Sequence, residues 1–130
     1  MKRFFFLLLV SFGASADDTD LRAPFITTPD AVVERMLELA GTRPSDVVMD
    51  LGSGDGRIAI MAAKDYGAKA VGIDIDPQRI KEANENVEKN SVGDRVRVMN
   101  ADLFATDLSE ATVVTLYLLP GMMQQLQAKF

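Results

Sequence analysis

From residue 28 onward the chain switches regularly between two kinds of apolar pattern. Mostly apolar runs stand at 47–49 (Val-Val-Met), 70–73 (Ala-Val-Gly-Ile) and 112–119. That is how strands buried on both faces of a parallel sheet read. Residues 95–99 alternate in polarity and predict a further strand. Between these runs, Val32, Val33, Met36, Leu37 and Ala40 recur at helical spacing, and so do Ile58, Ile60, Met61 and Ala62. Punctuation supports the same division. Thr28-Pro29-Asp30 predicts a helix start, with Thr28 as N-cap, Pro29 at the first helical position and Asp30 in the first turn, and Gly41 predicts its end. Asp76-Pro77 opens a helix over 77–90, a helix of roughly 57–66 precedes it, and another begins at 121. Four strands alternating with helices mean βαβ units, hence an α/β fold with a doubly wound, mostly parallel sheet.

The first residues follow a different pattern. Lys2-Arg3 is basic, residues 4–12 are apolar, Gly13-Ala14-Ser15-Ala16 is small and Asp17-Asp18 is acidic. This three-part order predicts a secretory signal peptide over 1–16, cleaved after Ala16. Its apolar run is about half of the ~20 residues needed to span a bilayer, so no stable membrane span is expected in the mature chain. Residues 17–24 read as a linker and 25–130 as the domain. The leader predicts an exported or periplasmic protein; a cytoplasmic or membrane-associated one, with the leader retained, is the alternative.

Composition narrows the chemistry. The 130 residues hold no cysteine and no histidine. Disulfides, Cys/His zinc sites, thiol nucleophiles and Ser-His-Asp triads are therefore excluded, and no metal is expected. Carboxylates, amines, hydroxyls, backbone groups and a bound cofactor remain. A net charge of −5 argues against a nucleic-acid partner held on a basic face.

The candidate chemistry lies in Asp50-Leu51-Gly52-Ser53-Gly54-Asp55-Gly56-Arg57, between a buried strand and a helix. In open α/β sheets ligands bind at the carboxyl ends of strands, where this loop falls. Asp50, at the strand end, is placed to hold a cationic or hydroxyl group. The third glycine follows the second by two residues, not by the three of the dinucleotide fingerprint, and the Gly-Lys-Ser/Thr of a P-loop is absent. Asp74 closes the second strand, where a carboxylate can accept both hydroxyls of a ribose. Asp76 is the better cap for the following helix, which leaves Asp74 for a ligand. Asp102 follows the third strand, where by itself it reads as a turn residue. Arg57 either pairs with Asp55 or lines the site.

The acid followed by G-x-G-x-G resembles motif I of the class I S-adenosylmethionine-dependent methyltransferases. The resemblance implies S-adenosylmethionine as cofactor, with Asp50 on the amino group of its methionine moiety. It assigns close backbone packing to Gly52, Ser53, Gly54 and Gly56, and the ribose to Asp74. Ile75 would cover the adenine, and Asp102 with Leu103 would contact its edge. A narrower resemblance rests on Pro24-Phe25-Ile26-Thr27-Thr28-Pro29, on Val32-Val33 with Met36-Leu37, on the loop with its Gly-Asp-Gly-Arg ending, and on Pro120-Gly121-Met122-Met123. Together these are similar to bacterial relatives of the mitochondrial protein-lysine methyltransferases, which implies N-methylation of lysine in a protein substrate. The Asn-Pro-Pro-aromatic signature of amide and base-amino methylation is absent from Thr115-Leu116-Tyr117-Leu118-Leu119-Pro120. Tyr117 could shape a lysine channel or simply pack in its strand, and no catalytic residue stands out.

The family fold has seven strands in the order 3-2-1-4-5-7-6. This chain supplies about four, in the order 3-2-1-4, with the C-terminal strands missing. Its fourth strand is then an uncovered apolar edge, prone to strand pairing or aggregation. Two other functions compete with a methyltransferase. One is a module that binds S-adenosylmethionine or S-adenosylhomocysteine without turnover, and the other is a nicotinamide-dependent oxidoreductase, which the glycine spacing disfavours.

Overall fold

A computed structural model describes residues 29–117 and, as backbone, a strand at Arg3–Leu7. Residues 1–2, 8–28 and 118–130, which include Thr28, the expected linker at 17–24 and most of the expected leader, lie outside the described residues.

Strand β1 is Arg3–Leu7. Helix α1, Asp30–Leu39, buries Val33, Met36 and Leu37. It starts one residue later than the sequence predicts. Pro29 is extended (φ −58°, ψ 141°) and caps the helix instead of opening it, its carbonyl accepting the amides of Val32 and Val33 at 3.0 and 3.1 Å. Strand β2 is Val47–Leu51, followed by α2 (Arg57–Tyr66), β3 (Lys69–Asp74), α3 (Pro77–Lys89) and β4 (Val96–Asn100). A 3-10 turn at Leu103–Ala105 precedes β5, Val113–Tyr117. Among the described residues no helix is long and apolar enough to cross a membrane.

The sheet is parallel throughout, in the order β1-β5-β2-β3-β4. Counted on the strands read from sequence, β4-β3-β2-β5 is the expected 3-2-1-4. Right-handed crossovers that step the same way, from β2 to β3 to β4, place their helices on one face. Accordingly α1, α2 and α3 pack on a single core layer around Val33, Leu37, Val48, Ala59, Ala63 and Val87. The step from β4 back to β5 runs the opposite way. Residues from its path, Leu103, Phe104, Leu108 and Ala111, cover Leu51, Ile73, Val114 and Leu116 on the other face.

The edge of β5 is not bare. Arg3–Leu7 pairs along it in parallel, from Arg3 opposite Val113 to Leu7 opposite Tyr117. This corrects the uncovered edge that the strand count implied. An edge of free N–H and C=O groups takes up any extended segment that reaches it. Here that segment is Arg3–Leu7, from the basic-apolar stretch at the start of the sequence.

Two threonine–aspartate contacts bracket the β2–β5 pair. At the start of the strands, the Thr112 hydroxyl donates to Asp46 Oδ1 at 2.8 Å and accepts the Val47 amide at 2.9 Å. Near their ends, the Thr115 hydroxyl donates to Asp50 Oδ1 at 2.7 Å.

Candidate cofactor site

The chain leaves β2 in one direction, toward β3 and β4, and returns to pair β5 on the other side of β2. The sheet therefore opens at its carboxyl end between β2 and β5, the place where ligands of open α/β sheets sit. Asp50 stands at this opening.

The loop 52–56 folds back over β3. The amides of Gly52 and Ser53 both donate to the Ile73 carbonyl, at 2.8 and 2.9 Å. This brings the loop so close that a Cβ on Gly72 would lie 3.0 Å from both Cβ and Oγ of Ser53. Gly56, the residue before α2, has φ +85°, and a Cβ there would meet Ala83 of α3 at 3.2 Å. Glycine is the residue without strain at such a point. The Asn86 amide also reaches across from α3 to the Asp55 carbonyl at 2.9 Å.

Arg57 pairs and does not open into the site. Its Nη2 lies 2.8 Å from Asp55 Oδ2, its Nη1 3.4 Å from Asp30 at the start of α1. Burial pushes the Asp55 carboxyl up, but the hydrogen bonds and charge of Arg57 outweigh it and hold the group below its ordinary range.

Asp50 is 1% exposed. Thr115 satisfies Oδ1, while Oδ2 is buried and has no hydrogen-bond partner among the described residues. Burial pushes its carboxyl from 3.8 to about 7; the Thr115 bond opposes the rise and the charges of Asp74 and Asp55 add to it. A buried carboxylate oxygen without a partner costs more free energy than almost any other arrangement of polar atoms. Ser53 Oγ, in the glycine loop, is likewise buried with no partner among the described residues.

Asp74 is already engaged by backbone. Its Oδ2 accepts the Gly54 amide and its Oδ1 the Asp76 amide, each at 3.0 Å. It thus ties the glycine loop to the end of β3, and a carboxylate with about four lone-pair sites keeps capacity for further donors. Asp76 caps α3 through the Gln78 amide at 2.9 Å, as the sequence predicts. Ile75, between them, leaves 59% of its surface exposed. Asp102 is exposed and accepts the Phe104 amide at 2.9 Å, the turn role it has when read alone, while Leu103 packs partly into the second core layer.

The structure therefore joins Asp50, the loop, Asp74 and Ile75 at the adjoining ends of β2 and β3, with Asp102 and Leu103 one strand further along, after β4. Two residues in this arrangement were missed by sequence reasoning. Asn100, the last residue of β4, donates to the carbonyls of Asp74 and Ile75 at 3.3 and 3.0 Å and so holds the turn that carries them. Thr115 is the other. A hydroxyl inside an otherwise apolar strand was the available signal. Tyr117 ends β5, and its side chain lies outside the described residues.

This strand order, with a glycine loop after the central strand and acids at the next strand ends, defines the class I S-adenosylmethionine-dependent methyltransferases. The sequence profile of the ANTKMT methyltransferase domain matches residues 50–130, and the chain belongs to that family. A protein-lysine N-methyltransferase of Saccharolobus islandicus (strain REY15A) is 50% identical over 107 residues, covering 82% of this chain and 66% of that protein. A ribosomal protein L11 methyltransferase of Enterobacter sp. (strain 638) is 40% identical over 79 residues, 61% of this chain and 27% of its own length. Among solved structures, an RNA methyltransferase from Salinibacter ruber in complex with S-adenosyl-L-homocysteine superposes with a TM-score of 0.79 at 54% identity, covering 80% of this chain and 68% of that one. The chain thus spans between about a quarter and two thirds of the length of these relatives.

Proposed function

We propose that this chain acts as a methyltransferase that transfers the methyl group of S-adenosylmethionine to lysine side chains of a protein. The observation that carries the cofactor half of this reading is the buried, partnerless Oδ2 of Asp50 beside the glycine loop. Such an oxygen fits a cationic donor, and the ammonium of the methionine moiety is one. Asp50 would hold that ammonium, and the backbone of Gly52, Ser53, Gly54 and Gly56 would pack along the methionine. Asp74 would accept the ribose hydroxyls with its remaining lone pairs. The exposed Ile75 would cover the adenine, with Asp102 and Leu103 at its edge.

When bound, the cofactor supplies a methyl group on a positively charged sulfur. Asp50, the glycine loop and Asp74 would hold the cofactor in place, and a lysine acceptor would have to lose its proton before its nitrogen could take that methyl group. Such a transfer depends chiefly on in-line placement. The acceptor assignment is supported by the half-identical relative named a protein-lysine N-methyltransferase. It is also favoured by charge, since Asp76 and Asp102 stand just beyond the carboxyl ends of β3 and β4, and neither is buried. Carboxylates there attract a lysine and repel phosphates. The Salinibacter ruber structure is named an RNA methyltransferase, which makes RNA the second acceptor to test.

Incubation of the protein with methyl-radiolabelled S-adenosylmethionine and separate protein and RNA extracts distinguishes the acceptors. The expected result is label in protein, recovered as methyllysine after hydrolysis. Label confined to RNA would overturn the lysine assignment. S-adenosylhomocysteine binding without any transfer would leave a binding module, and NAD binding in its place would overturn the cofactor assignment.

A further inference from the structure

We propose that Thr115 is a positioning residue that makes cofactor uptake proton-linked: it anchors one oxygen of Asp50 and presents the other, Oδ2, as an acceptor that is complete only when the carboxylate is ionised against a cationic ligand. This rests on the assignment of Asp50 to the ammonium of the methionine moiety.

The geometry is specific. Asp50 and Thr115 are register partners on adjacent parallel strands, so their side chains leave the sheet on the same face. Both are buried, Asp50 to 1% exposure and Thr115 to 0%. The bond between them is 2.7 Å and joins Thr115 Oγ1 to Oδ1 alone. Among the described residues Oδ2 has no partner, and it is shielded from solvent. The hydroxyl can donate to only one oxygen, so it sets which of the two faces the ligand.

Among the described residues, the charges acting on Asp50 are those of Asp74, at the end of neighbouring β3, and Asp55, in the loop, both negative. Burial and these two carboxylates favour the protonated acid, and the Thr115 bond is what pulls the other way. A protonated Asp50 offers the ammonium no charge. The ligand therefore displaces a proton, and Thr115 sets the pH at which that becomes easy.

Calorimetry with S-adenosylhomocysteine between about pH 5.5 and 8.5, in buffers of different ionisation enthalpy, reads both affinity and proton release. For the wild-type chain, affinity should fall approaching tenfold per pH unit below about 7, with up to about one proton released per ligand there. Thr115→Val keeps the shape and removes the bond. It should move the break in the profile up by about one pH unit, so that affinity falls roughly tenfold near pH 6.5 and much less at 8.5. Thr115→Ser should restore the wild-type profile. The Asp50 carboxyl carbon, followed by NMR without ligand, should titrate at higher pH in Thr115→Val than in wild type.

An equal loss of affinity at every pH in Thr115→Val, or an unmoved Asp50 titration, would overturn the proposal. A Thr115→Val chain that fails to fold still leaves the wild-type proton count, and no proton release below pH 7 also overturns it. Absence of S-adenosylhomocysteine binding by the wild-type chain at all pH values would refute the underlying cofactor assignment instead.

Discussion

Replacing Asp50 by asparagine should stabilise the ligand-free protein while weakening its hold on the cofactor. The carboxyl group moves from 3.8 to about 7 when it is buried in the fold. Its folded value therefore lies above its unfolded one. Between these values the folded state keeps a proton that the unfolded state has lost, so the stability contributed below pH 4 declines as pH rises toward 7. A displacement of about three pH units, at ~1.4 kcal/mol each, gives roughly 4 kcal/mol lost from wild type above pH 7. Asparagine has nearly the same shape, still accepts from Thr115, and carries no charge to desolvate. Urea denaturation of both proteins at about pH 4.5 and about pH 8 isolates the effect. The gain of Asp50→Asn over wild type should be larger at the higher pH by roughly 3 kcal/mol. At the same time its affinity for S-adenosylhomocysteine should drop, because an ammonium then meets an amide oxygen in place of a carboxylate. An identical difference in stability at the two pH values would refute the claim that Asp50 is held against ionisation by its burial.

Other sites give sharper single readouts. Asp74→Ala removes the acceptor of the Gly54 and Asp76 amides and of the proposed ribose contact, and should weaken S-adenosylhomocysteine binding at least ~100-fold by calorimetry; wild-type affinity would rule out the ribose role. Gly72→Ala puts a methyl group 3.0 Å from Ser53 and should cost about 1–3 kcal/mol in urea denaturation by forcing the loop off β3. Asn100→Ala removes two bonds to the turn that carries Asp74 and Ile75, with an expected loss of about 1 kcal/mol in ligand affinity. Fusing residues 1–25 to a compartment-sensitive reporter tests the proposed export; a purely cytoplasmic signal would argue against it.

What was legible in the sequence was whatever is encoded locally. Helix α2 falls on the predicted residues 57–66 because Gly56 and Gly67 punctuate it at both ends. Asp76-Pro77 announces α3 by a capping geometry that needs only neighbours in the chain. The acids of the site stood out because each closes or follows an apolar strand. Contacts made across the fold were not legible. Nothing near Thr115 in sequence says that its hydroxyl meets a carboxylate 65 residues away. Asn100 likewise acts on backbone of another strand, 25 and 26 residues distant. The pairing of Arg3–Leu7 with β5 was obscured for a different reason: a basic start and an apolar run suit both an export leader and a sheet strand, and composition does not separate them.

The two threonine–aspartate contacts between β2 and β5 also answer a question of alignment. Val-Val-Met-Asp-Leu and Val-Val-Thr-Leu-Tyr would present much the same greasy surface if one strand slid two residues past the other. Sliding by two keeps every side chain on its face, so apolar burial alone discriminates poorly against it. Thr112 meets Asp46 at one end and Thr115 meets Asp50 near the other only when Val48 lies opposite Val113. Any slip strands two buried carboxylates without their hydroxyls. The polar pair at each end works like a key cut for one setting, and the setting it selects is the one that brings Asp50 to the opening of the sheet.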